Sequence, residues 1–144
     1  MKNLFYSLIL CLLGYSCLAQ TPIIASLESQ LQKATLSSDS TISIYHQLTR
    51  LYIGIDDYPQ AIRATQKEIF LLENNNKKAL KLAAAYFNLA SINRILSNYK
   101  IALFFAQKSL VVYRKKLGVN DLEVASVERF IAQIYHLKND NKSH

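Results

Sequence analysis

Cysteine is almost absent from this chain, and its placement excludes several kinds of chemistry. The two cysteines, Cys11 and Cys17, lie within the first 19 of the 144 residues. If that segment is removed, no thiol remains to form a disulfide, attack a substrate or bind a metal. We therefore expect no disulfide scaffold and no cysteine-based active site in the rest of the chain.

Glycine and proline are also scarce, at three and two residues respectively. Runs that alternate apolar and polar residues, which are typical of strands in hairpins, are missing. Apolar residues recur instead at helical spacing, as at Ile24, Leu27 and Leu31,. This pattern predicts an all-α fold. The predicted helices cover about 21–36, 44–55, 58–72, 78–96, 99–117 and 121–137.

The N-terminal segment has the organisation of a secretory signal peptide. Lys2 precedes an apolar run from Leu4 to Leu13, and small residues end the segment at Ala19,. About ten apolar residues are too few to cross a bilayer, which needs roughly 20. We predict that residues 1–19 are cleaved and that the protein, beginning at Gln20, is exported to the periplasm or secreted without a stable membrane span.

Two alternatives remain for this segment. It would be an uncleaved anchor if the signal peptidase did not cut it. Cys17 would instead carry a lipid if Ser16 served as the small residue that precedes the modified cysteine of bacterial lipoproteins.

The net positive charge of the chain indicates which kinds of partner it could bind. The chain has 17 basic and 10 acidic residues, and loss of Lys2 with the signal peptide leaves a net charge of about +6. This balance is compatible with an acidic protein, an anionic lipid surface or nucleic acid as the partner. Export argues against nucleic acid as the target.

A repeat of 41 residues runs through the predicted helices. A shift of 41 aligns Tyr45 with Tyr86 and Ala61 with Ala102. Further pairs are Leu48–Leu89, Tyr58–Tyr99 and Lys67–Lys108 and, at a shift of 42, Leu89–Ile131, Ala90–Ala132 and Ile92–Ile134. So many matches in one register indicate repeated helix pairs, which bury their apolar faces by stacking.

The segments "YHQLTRLYIGIDDYPQAIRATQKEI" and "YFNLASINRILSNYKIALFFAQKSL" resemble the two-helix unit of the tetratricopeptide repeat (TPR) family. The spacing is similar to the long-linker type found in kinesin light chains and in exported bacterial TPR proteins. Thr49 and Glu68 depart from the small residues usual at their positions.

The resemblance implies an antiparallel helix-pair solenoid, a right-handed superhelix of about 2.5 repeats. The repeats would cover 42–76, 83–117 and, as a half repeat, 122–137. A capping helix and turn at 20–41 would precede them, and a polar tail at 138–144 would follow.

The resemblance also implies a concave surface, lined by the first helix of each repeat, that holds a peptide or a partner helix. Carried over copy by copy, this groove would consist of His46, Gln47, Arg50, Phe87, Asn88, Ser91, Arg94, Arg129, Phe130, Gln133 and His136. Asn88 matches the asparagine that bonds the peptide backbone in relatives. The arginines would supply charge, and Phe87 and Phe130 would supply apolar anchors unless they belong to the core.

The last predicted helix carries a broad apolar surface. It includes Val124, Val127, Phe130, Ile131, Ile134 and Leu137. This surface looks too wide for one neighbouring helix to cover, and exposed apolar patches usually mark interfaces. We therefore predict that Val127, Ile131, Ile134 and Leu137 form a face for a second copy or another protein.

Motifs that would indicate an enzyme are missing. The sequence contains no G-x-S-x-G, Walker A or G-x-G-x-x-G string, and its three histidines do not stand in metal-ligand spacing,. We expect no catalytic site, cofactor or metal. The sequence predicts an exported, non-catalytic module that binds a protein or peptide. The alternative is a truncated or detached periplasmic sensory segment, because the layout also resembles the front end of bacterial TPR sensor kinases.

Overall fold

The computed structural model of the chain describes residues 20–33, 35–73 and 78–140, without the side chains of 139 and 140. Every regular element in these ranges is a helix: α1 (20–31), α2 (Ser38–Gly54), α3 (Tyr58–Glu73), α4 (Ala79–Ile95), α5 (Tyr99–Leu117) and α6 (Leu122–Asp140). The fold is all-α and built from antiparallel helix pairs, as predicted. The predicted signal peptide and Cys17 lie outside the described residues.

The chain divides into two compact units, which are described separately below. The first unit ends at Ala61 and contains α1, α2 and the first turn of α3. The second unit begins at Ile62 and contains the rest of α3 with α4, α5 and α6.

Two turns with the same backbone conformation show the repeat directly. Asp56 and Ser97, which are 41 residues apart, both adopt a left-handed conformation, with φ of 59° and 60°. The residue after each donates its amide hydrogen to a carbonyl five residues earlier, from Asp57 to Tyr52 and from Asn98 to Asn93. A left-handed residue of this kind ends many helices because it redirects the chain and satisfies terminal carbonyls.

The capping residues determine where α2 and α3 begin, and the observed helix boundaries differ from the predicted ones. Ser37 accepts a hydrogen bond from the Ser40 amide, so α2 begins at Ser38 rather than near residue 42,. The Asp57 carboxylate accepts a hydrogen bond from the Gln60 amide at the start of α3. At the other end, α6 continues to Asp140, so the predicted polar tail is helical over its first three residues.

In the first unit, α1 packs on α2. Ile24 and Leu27 of α1 are buried, as are Leu48 and Tyr52 of α2. The Tyr52 hydroxyl donates a hydrogen bond to the Glu28 carboxylate at 2.5 Å. A Cβ atom on Gly54 would lie 3.1 Å from Oε1 at the end of the flexible Gln20 side chain, so α1 contacts the end of α2 there through that side chain.

In the second unit, small residues allow α4 and α5 to meet closely. Ala102 of α5 has no exposed surface and shares the core with Ala83 and Ala90 of α4. Ser109 is fully buried, and its hydroxyl donates a hydrogen bond to the Ala83 carbonyl at 2.8 Å. The alanine that the 41-residue repeat places at position 102 therefore lies where two helices meet. Glu68, the counterpart of Ser109, is also buried.

The orientation of α6 differs from the prediction. Val127 and Ile134 are buried, with at most 1% exposure, and do not form an outward face. Ile131 is partly buried, and Leu137 alone of the four predicted residues is exposed, at 37%. The apolar surface of α6 is covered because α5 packs on it and Phe87 of α4 reaches Phe130.

Candidate functional site

The predicted groove residues of α4 lie on successive turns of that helix. Phe87, Asn88, Ser91 and Arg94 are each half-buried. Their spacing of one, three and three residues places them on one side of the helix. This side combines an aromatic ring, an amide, a hydroxyl and a guanidinium group.

An aromatic and cationic cluster joins α4 to α6. The rings of Phe87 and Phe130 meet edge to face with centroids 5.0 Å apart. The Arg94 guanidinium carbon lies 5.3 Å from the centre of the Phe130 ring. This distance is within the range of cation–π attraction. The structure thus brings together three predicted groove residues from two helices.

The same cluster corrects the predicted role of Phe130. Only 7% of Phe130 is exposed, so this ring supports Arg94 and Phe87 from beneath rather than offering an apolar anchor to a partner. Phe87 remains half-buried and accessible at its edge. The other predicted residues of α6, Arg129, Gln133 and His136, are exposed.

Arg94 has an unsatisfied donor within this cluster. Its Nε atom is buried and has no hydrogen-bond partner among the described residues. A buried donor without an acceptor is energetically costly, more so when it belongs to a charged group.

In the first unit, the predicted residues of α2 border a depression shared with α1. Gln47 and Arg50 line it together with Gln20, Ile23 and Leu51, around a volume of about 300 Å³. His46, the residue before Gln47, is half-buried, whereas Gln47 and Arg50 are exposed. The contribution of Gln20 and Ile23 was not predicted because α1 was interpreted only as a cap.

A second apolar depression lies between α4 and α5. It has a volume of about 410 Å³ and is lined by Leu82, Tyr86, Phe104, Gln107, Lys108, Val111 and Val112. The Lys108 ammonium lies 5.0 Å from the Tyr86 ring and 5.2 Å from the Phe104 ring. Burial and a hydrogen bond to Glu73 raise the pKa of Tyr86. The sequence signal for this depression is the seven-residue spacing of exposed Phe104 and Val111.

Over the described ranges, no three His, Cys, Asp or Glu side chains are grouped as a metal site would require. Nor does any described helix have the length and apolarity needed to cross a membrane. The surface of α4 and α6 instead offers positive charge, hydrogen-bonding groups and an aromatic edge, which are features of a site that binds a polypeptide.

Two similarities to known proteins extend over most of this chain. No family model matches it. The chain is 24% identical over 123 residues to the clustered mitochondria protein homolog of Coccidioides immitis (strain RS), covering 84% of this chain and 10% of that protein. The crystal structure of BtubC (BKLC) from P. vanneervenii matches with a TM-score of 0.68 and 21% identity, covering 79% of this chain and 45% of that one.

These similarities agree with the internal repeat. The chain spans about a tenth of the first protein and less than half of the second, so the likeness concerns only that part of each. The structure shows the 41-residue repeat of helix pairs in two places. One is the pair of left-handed turns at Asp56 and Ser97, and the other is the set of buried alanines between the helices. The chain therefore has a TPR-like helical-repeat fold.

Proposed function

We propose that this protein is an exported, non-catalytic TPR-like module that binds an extended peptide segment on the exposed side of α4 and α6. The preferred segment carries an acidic residue next to an apolar one. The long-linker, bacterial type of repeat is part of the same proposal.

The Arg94 cluster is the observation that supports this proposal most strongly. Phe130 holds the guanidinium group from beneath, and the buried Nε atom has no acceptor among the described residues. A carboxylate of the bound segment would pair with the half-buried guanidinium group of Arg94. Hydrogen bonds to charged groups contribute about 1.5–3 kcal/mol each. Phe87, about two helical turns before Arg94 on α4, would contact an apolar residue of the same segment.

Asn88 completes the proposed site. It is half-buried beside Phe87 on the same side of α4. In the TPR family the matching asparagine bonds the backbone of a bound peptide, and we assign the same role here. Side chains of α6 that are exposed, above all Arg129, would extend the positive surface.

Binding is tested by selecting peptides from a displayed random library against the immobilised protein. We expect the selected peptides to be enriched in acidic residues next to apolar ones. Arg94→Glu should weaken their binding at least tenfold, since loss of about 1.4 kcal/mol corresponds to a factor of ten.

Lys100→Glu is the matched control because it changes the net charge equally on an exposed part of α5. It should leave the affinity nearly unchanged. Equal losses in both variants would attribute binding to net charge alone and contradict a site at Arg94.

Export is tested by the mass of the protein recovered from outside the cytoplasm. We expect a chain that begins at Gln20, because Ala19 ends the small-residue stretch before the predicted cleavage point,. Recovery with Met1 retained would contradict export with cleavage. An acylated Cys17 would establish the lipoprotein alternative instead.

A further inference from the structure

Acidic residues are absent from a long stretch of the second unit. No aspartate or glutamate occurs between Glu73 and Asp121, a stretch that contains all of α4 and α5. All ten acidic residues of the chain lie outside these two helices, which carry seven of its 17 basic residues. The helix pair α4–α5 therefore contributes only positive charge.

Five exposed residues follow one another along one side of α5: Ile101, Phe104, Lys108, Val111 and Lys115. Their intervals of three, four, three and four residues keep them on one side of the helix. The exposed side of a helix is ordinarily polar. Here three of the five residues are apolar, and Val111 is exposed to 66%. We call these five residues the exposed stripe.

Two adjoining depressions lie beside the exposed stripe, between α5 and α4. The first is the depression of about 410 Å³ described above. The second has a volume of about 460 Å³ and shares Leu82, Val111 and Val112 with the first. Lys115 and Lys116 also line it. Together the two depressions form an apolar surface bordered by lysines.

Lys108 lies in the middle of the exposed stripe, with its ammonium group near the Tyr86 and Phe104 rings. Among the described residues, no acid lines either depression. Glu73 lies close by, and its carboxylate accepts a hydrogen bond from the Tyr86 hydroxyl at 2.6 Å. An anionic group that approaches the exposed stripe therefore meets lysines and no acidic residue of α4 or α5.

This combination fits an anionic bilayer better than a protein partner. The centre of a protein interface is depleted in lysine, whereas Lys108 lies at the centre of the exposed stripe. Side chains that contact a bilayer surface combine apolar groups with lysines, whose long stems lie along apolar surface while their ammonium groups stay among the polar headgroups. Anionic headgroups also complement the positive charge of α4 and α5.

We propose that the exposed stripe binds the surface of an anionic phospholipid bilayer. Ile101, Phe104 and Val111 enter the boundary between headgroups and acyl chains, and Lys108 and Lys115 contact the phosphates. The proposed peptide site takes no part, because none of its residues belongs to the exposed stripe.

A single tryptophan tests the contact at the proposed place. The chain has no tryptophan, so Val111→Trp introduces one reporter within the exposed stripe. Vesicles of equal parts phosphatidylglycerol and phosphatidylcholine should shift its emission to shorter wavelength, and brominated acyl chains should quench it. Leu122→Trp is the control, because Leu122 is 84% exposed but lies between Asp121 and Glu123, which an anionic surface repels. Its emission should not change.

Cosedimentation with the same vesicles measures the strength of binding. Val111→Glu should lower the partition coefficient at least tenfold, because it removes an apolar contact and adds a charge that the phosphates repel. Leu122→Glu changes the net charge equally and should have little effect. Raising the salt concentration from about 0.1 M to about 1 M shortens the Debye length from about 10 Å to about 3 Å and should release most of the protein. Circular dichroism establishes that the variants remain helical.

Residues 1–19, which include an apolar run, are the same in every variant, so differences between variants report on the exposed stripe. A tryptophan at position 111 that anionic vesicles leave unchanged would overturn the proposal, and this is the result expected if an acidic protein occupied the stripe instead. An equal shift with vesicles of phosphatidylcholine alone would overturn it too, since charge would then play no part. So would equal losses of binding in Val111→Glu and Leu122→Glu.

Discussion

Replacing Ile134 by glutamate is expected to unfold α6 rather than to separate two chains. Ile134 has no exposed surface and shares a core with Val127 and Phe130. The substitution removes a packed side chain and places a carboxylate where water cannot reach it. We expect a loss of about 4 kcal/mol or more, within the range that only buried charges and large cavities produce. Urea unfolding followed by circular dichroism measures it.

Gln133→Glu is the matched control for this prediction. It introduces the same carboxylate at the preceding residue, which is exposed. We expect a change within about 0.5 kcal/mol, as for most surface substitutions. If Ile134→Glu were as stable as Gln133→Glu, α6 would not have the orientation described above.

Replacing Ala102 by leucine is the second substitution with a large expected effect. Ala102 lies against the alanines of α4 with no exposed surface. Extra methylene groups there would push α4 and α5 apart, at a cost of about 1–3 kcal/mol. For a domain of this size, each kcal/mol lowers the melting temperature by roughly 2–8 °C. Thermal unfolding followed by circular dichroism measures the shift.

Ala25→Leu is the control, because Ala25 is an exposed helical residue and the substitution is the same. It should leave the melting temperature nearly unchanged. Lys108→Gln would be a poorer control, because the Lys108 ammonium lies over two aromatic rings. Equal effects of Ala102→Leu and Ala25→Leu would contradict the repeat register.

The sequence was sufficient to predict the repeated parts of the fold because local signals and tertiary packing agree there. Small residues 41 positions apart mark the close approach of two helices, and Ala61 and Ala102 are both fully buried. The turn before each second helix was also predicted. Its left-handed residues are Asp56 and Ser97, whereas Gly54, the glycine of the first turn, remains within α2.

The orientation of α6 could not be predicted from its own pattern. An apolar surface shows that neighbours are needed, but not how many helices provide them. Here α5 and Phe87 of α4 together cover residues that seemed too numerous for one neighbour.

The proposed peptide site was predicted only in part, for a related reason. The resemblance to the TPR family assigned Phe87 and Arg94 to the groove, and in the structure both are half-buried residues of α4. The contact of both residues with Phe130 depends on the packing of α4 beside α6, which no spacing within one helix reveals. Gln20 and Ile23 line a depression together with residues of α2, and this likewise depends on where α1 lies on α2.

Binding of a peptide on the exposed side of α4 and α6 is the central claim, and amide chemical-shift mapping tests it most directly. A peptide selected from the displayed library would be titrated into the isotope-labelled protein. We predict that the largest shifts occur at Phe87, Asn88, Ser91 and Arg94, with further shifts at Arg129 and Gln133. Shifts confined to the depression around Phe104 and Val111, with none on α4 at Arg94, would contradict the claim.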